Sequence, residues 1–101
     1  MKTKLVTPIP VKKVLKKMGK DIKEARIRRR IPTSLMAERV GISRVTLNSV
    51  ENGSPSVSLG IYVTILYVLG LLDRQRDVAD IAYDIVGQAL NSNDLPKRIK
   101  K

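Results

Sequence analysis

A chain of 101 residues suffices for one domain with a single modest core. It has no Cys and no His, which excludes disulfides, thiol and imidazole catalysis and nearly all transition-metal sites and fits a reducing cytoplasm; with no Phe and no Trp, an aliphatic core is expected. The formal net charge of +11 is uneven, because residues 1–30 hold 12 of the 20 Lys and Arg against only Asp21 and Glu24, whereas residues 31–70 balance to zero. Such an excess reads either as a site for a polyanion, nucleic acid or an anionic membrane surface, or as a solvated face.

Pro8 and Pro10 mark residues 1–10 as an extended arm, with an apolar segment too short and broken for a secretory signal. From Val11, apolar residues recur at Val14, Leu15, Met18, Ile22 and Ala25. This is the spacing of one helical stripe, predicting a first helix that ends near Arg30, ahead of Pro32. A second helix is expected from about Thr33 to Val40, with Met36, Ala37 and Val40 inward. Gly41 supplies a turn, Ser43 caps a third helix over Arg44 to about Glu51, and "NGSP" ends it. Ser58 is placed to cap an apolar fourth helix ending at Gly70. The apolar run from Leu59 to Leu72 falls short of the roughly 20 residues that span a bilayer, so no membrane partner is expected.

The remaining third predicts an amphipathic helix or pair of helices over residues 73–94. Asp73, Asp77, Asp80 and Asp84 would form one stripe, with Val78, Ala82, Ile85 and Ala89 opposite. It either packs on its own domain or forms a dimer interface. Residues 95–101 are a basic tail. The fold class is all-α, a compact bundle of about five to six helices, with residues 11–72 as the principal domain.

Thr33 to Asn52 form a frame in which Met36, Val40, Ile42, Leu47 and Val50 are the apolar wedge between two helices. Ala37 is small where they cross, and Gly41 sits at the turn. With Leu47 and Val50 pointing inward at 100° per residue, Arg44, Val45, Asn48, Ser49 and Asn52 form a contiguous outward face. Arg donates two hydrogen bonds to a guanine edge, Asn pairs with adenine, and an exposed Val45 suits a thymine methyl. Val45 has a second reading as a half-buried filler beside the second helix. Lys12, Lys13, Lys16 and Lys17 in the basic third, and Ser43 at the start of the third helix, are candidate phosphate contacts that set register without reading sequence.

Through Ala37, Gly41, Leu47 and the "ENG" of Glu51 to Gly53, the chain resembles the helix-turn-helix of the Xre or Cro/CI repressor family over roughly residues 18–72. The resemblance implies a lambda-repressor-like fold and sequence-specific binding to double-stranded, palindromic operator DNA as a homodimer. It gives Thr33 the place of a phosphate-contacting Gln or Ser, and makes Arg26 and Glu51 an ion pair tying the first helix to the third. Pro32 and Leu35 depart from the family pattern there. Further on, "PSVSLGIYVTILYVLGLLDRQRDVAD" and "LPKRIKK" resemble HipB-like antitoxins, which implies autorepression of an operon and a HipA-like serine/threonine kinase toxin as partner.

The expected function is therefore a cytoplasmic DNA-binding repressor and antitoxin, with no cofactor and no metal. The alternatives are a protein-interaction module that grips a kinase toxin and a general Xre-type regulator. Catalysis is not expected: without His or Cys it would fall to carboxylates, and the Asp stripe is more economically a solvated face.

Overall fold

Six helices and a 3-10 turn make up the computed structural model, which describes residues 6–90 and contains no strand among them. The helices are α1 (Ile9–Arg28), α2 (Thr33–Val40), α3 (Arg44–Glu51), α4 (Leu59–Leu69), α5 (Asp73–Arg76) and α6 (Ile85–Ala89), with the 3-10 turn at Ile81–Tyr83. The chain is all-α. Part of the expected arm (residues 1–5), the end of the amphipathic segment (91–94) and the basic tail (95–101) lie outside the described residues.

The first helix begins at Ile9, so it takes in the last two residues assigned to the arm. Pro10 stands in the first turn, where its missing N–H needs no partner, and the Lys12 N–H bonds back to the Pro8 carbonyl at 3.0 Å. The helix also stops short of the expected Arg30. Arg30 takes a left-handed φ of 55°, and Ile31 N–H returns to the Arg26 carbonyl at 3.2 Å, closing the terminus with a Schellman-type bond.

The stripe on α1 is buried only where the other helices reach it. Ile22 and Ala25 are in the core and Leu15 and Met18 pack against it, but Val11 and Val14 are exposed, contrary to expectation. A helix of 20 residues is about 30 Å long, whereas α2 and α3, with eight each, span about 12 Å, so the first turns of α1 run past the core.

The expected wedge closes the middle of the bundle. Met36, Leu47 and Val50 are fully buried, and Val40 and Ile42 pack against them half-buried. Gly41 turns the chain at φ 84°, with its N–H and that of Ile42 both bonded to the Ala37 carbonyl. The Ser43 Oγ accepts the Thr46 N–H at 3.0 Å, which fixes the start of α3. Two glycines let α1 meet the end of α3. A Cβ on Gly19 would lie 2.5 Å from the Val50 carbonyl oxygen, and one on Gly53, at φ 77°, would lie 2.7 Å from the Lys16 Cα.

Helix α4 adds Tyr62, Ile65, Leu66 and Leu69, so the core is aliphatic apart from one aromatic ring. The Tyr62 hydroxyl donates to the Ser54 carbonyl at 2.7 Å and ties α4 to the loop after α3. Beyond Gly70 the expected helical face does not form. Asp80 is extended and its Oδ1 accepts the Ala82 N–H, capping the 3-10 turn, while Asp84 Oδ1 accepts the Gly87 N–H, capping α6. Asp competes with helix backbone for such bonds, so these carboxylates interrupt the helix and the four Asp make no common stripe. No residue from 78 to 90 is buried, so this part of the segment adds nothing to the core, whereas Arg74 and Gln75 lie beside Met18 and Ile22 of α1.

Candidate nucleic-acid interface

The turn at Gly41 and the cap at Ser43 set the direction of α3, and burial of Leu47 and Val50 sets its rotation. The opposite side of the helix is then presented outward. Arg44, Val45, Asn48 and Asn52 are exposed and Ser49 is half-buried. Val45 is 76% exposed, so it is not a filler between α2 and α3.

Thr33, at the first turn of α2, joins Arg44, Val45 and Asn48 around one open concavity of about 360 Å³. Helix α2 starts after Pro32 with no side-chain cap, so its first backbone N–H groups, which have no partner within the helix, receive none from the cap residue. No carboxylate among the described residues lies within salt-bridge distance of Arg44, and the Asn48 and Asn52 amides make no side-chain hydrogen bond there. The face therefore carries unengaged donors, one exposed methyl-bearing side chain and no negative charge.

Beneath this face, Arg26 and Glu51 meet as a buried, two-pronged pair. Arg26 Nε donates to Glu51 Oε2 at 2.7 Å and Nη2 to Oε1 at 3.1 Å, while Nη1 donates to the Ile31 carbonyl at 2.9 Å. One guanidinium thus joins α1, the turn before α2 and the end of α3. At Tyr62, burial pushes the phenol above the ordinary value.

The candidate phosphate residues are scattered. Ser43 is exposed and directs its hydroxyl proton to Thr46 Oγ1 at 2.9 Å, beside the cap it gives α3. Lys16 lies on the stretch of α1 that touches Gly53, next to the end of α3. Lys12, Lys13 and Lys17 are exposed, and the Lys17 ammonium pairs with Asp21 at 2.6 Å. That hydrogen bond, with the attraction of the same carboxylate, raises the Lys17 pKa.

The set drawn from the sequence omits Arg28, Arg29 and Arg30. All three are exposed, Arg28 at the last position of α1 and Arg29 and Arg30 in the turn that leads to Thr33, and Arg30 is the one non-glycine residue at positive φ among the described residues. The clue was the run "RIRRRIPT": its charges belong to the turn before α2 as much as to α1. No protein-family model matches the chain, and no curated protein matches it.

Proposed function

We propose that the chain is a sequence-specific DNA-binding repressor that reads the major groove with α3. The observation that carries this reading is the outward face of α3, where Arg44, Val45 and Asn48 border the same concavity as Thr33 with no carboxylate beside them. Arg44 supplies a bidentate donor pair for guanine, Asn48 and Asn52 supply amides for adenine, and Val45 supplies an apolar contact for a thymine methyl. The uncapped start of α2, with Thr33 and the arginines before it, holds a backbone phosphate and so sets the register. Lys16 extends the same contact at the far end of α3. Two such units act as a homodimer on an inverted repeat in the cytoplasm. The resemblance to HipB-like antitoxins supports autorepression and a HipA-like kinase as a further partner.

The test is operator binding by fluorescence anisotropy, using a duplex selected from a random-sequence library. Replacing Arg44 by Ala is expected to cost about 1–3 kcal/mol at that duplex and to relax preference at one base pair. Retention of full affinity and selectivity by Arg44→Ala overturns the assignment of α3.

A further inference from the structure

The two ends of the described chain carry uncovered apolar surface of opposite charge. On α1, Val11 and Val14 prolong the stripe of Leu15, Met18 and Ile22 outward from the core, and both are exposed. At 100° per residue Lys12 borders that stripe on one side and Lys17, paired with Asp21, on the other, and residues 9–21 contain five Lys against that one carboxylate. Past α5, the exposed side chains include Val78, Tyr83, Ile85 at 82% and Val86 at 72%. Residues 77–90 contain three Asp and no basic residue. Asp80 and Asp84 each commit only Oδ1 to a capped N–H, which leaves Oδ2 for an outside cation.

We propose that these surfaces cover one another between two copies of the chain. The acidic, apolar segment 77–90 of one copy lies along the first half of α1 of the second, and the second copy returns the same contact about a two-fold axis. The proposal deepens the homodimer of the proposed function and rests on that part of it. Complementarity within one sequence is the argument for a second copy as the occupant. Each patch is apolar, each carries a net charge of one sign, and the signs are opposite, so a reciprocal exchange buries both patches twice and leaves neither over. The outward face of α3 takes no part and stays free for DNA. The exchange also gives Lys12 a carboxylate partner in place of a phosphate, and adds a second carboxylate beside Lys17, which already pairs with Asp21.

The chain has no native cysteine, which makes the arrangement open to a clean cross-linking test. Full-length chains carrying Val14→Cys and Val86→Cys are mixed under mild oxidation. Mixed disulfide dimers should form well ahead of dimers in either chain alone. In parallel, Asp80→Asn with Asp84→Asn keeps both caps, since Asn caps as well as Asp, but removes the charge. Sedimentation should show the dimer weakened on the order of tenfold, and Lys12→Glu with Lys17→Glu should act likewise.

The proposal is overturned if the wild-type chain is a dimer yet the mixed chains do not cross-link preferentially; the homodimer reading then survives with other surfaces. It is also overturned if one chain carrying both cysteines closes on itself as a cross-linked monomer in dilute solution. A wild-type chain that stays monomeric at high micromolar concentration, or that associates only with an added kinase, overturns both the exchange and the homodimer. The Arg44→Ala measurement is independent of these outcomes.

Discussion

Removing the Arg26 guanidinium leaves the Glu51 carboxylate buried with no countercharge and frees the Ile31 carbonyl as well. Arg26→Met is therefore expected to destabilise the fold by about 3–5 kcal/mol, because a lone buried charge costs more than the intact pair contributes. Arg26→Met combined with Glu51→Leu should recover much of that loss, which a double-mutant cycle in urea measures directly. At Tyr62 the folded state favours the neutral phenol, since burial raises its pKa above 10.0. Its contribution to stability is thus complete below the ordinary phenol value and is lost as pH rises through the elevated one. Tyr62→Phe should cost about 1 kcal/mol at neutral pH, by stranding the Ser54 carbonyl, and should remove this part of the alkaline loss. Urea denaturation of both proteins at neutral and alkaline pH checks the sign.

The helices differ in how far the pattern of their residues predicts their use. In α3 one face is apolar and the other polar, and the two roles separate cleanly. In α1 the same 20 residues serve three purposes: Ile22 and Ala25 build the core, Val11 and Val14 project beyond it, and Arg26 to Arg28 complement the helix dipole at its end. On the proposed reading, position along α1 decides which basic residues meet DNA. Arg28→Ala with Arg30→Ala is expected to reduce the slope of log affinity against log salt by about 0.9 for each phosphate contact removed. Lys13→Ala, on the side of α1 away from the core stripe, should leave the slope unchanged. Titrating operator affinity over a range of salt concentrations separates these groups.

Across the whole molecule, charge and apolar surface are segregated. The N-terminal third carries the excess positive charge, which would draw the chain towards a polyanion from a distance, while the middle, which bears the proposed base-reading face, is neutral overall. A steering region and a selecting region on separate parts of the chain suit a protein that searches DNA before it settles. In a two-fold dimer the recognition helices should occupy half-sites roughly 34–36 Å apart, an inverted repeat separated by about one helical turn. Footprinting of the selected duplex gives that spacing, and a single unpaired half-site would count against the dimer.

Local chemistry settled much of this protein before any tertiary contact was considered. Gly41, Ser43 and Gly53 place the ends of α2 and α3 through backbone geometry and capping, and the spacing of Met36, Leu47 and Val50 leaves only one side of α3 free to face outward. These effects act within a few residues, so they are visible in the order of residues. The extent of the core along α1 was not, because the stripe from Val11 to Ala25 is periodic throughout and only the short span of α2 and α3 shows where burial stops. The stripe of Asp residues failed for a related reason: spacing assumes a continuous helix, and two of those carboxylates cap new ones. The joining of Thr33 to Arg44 and Asn48, the approach of α1 to α3 at Gly19, and the role of Tyr62 in the core all depend on contacts between distant segments. Packing alone decides them.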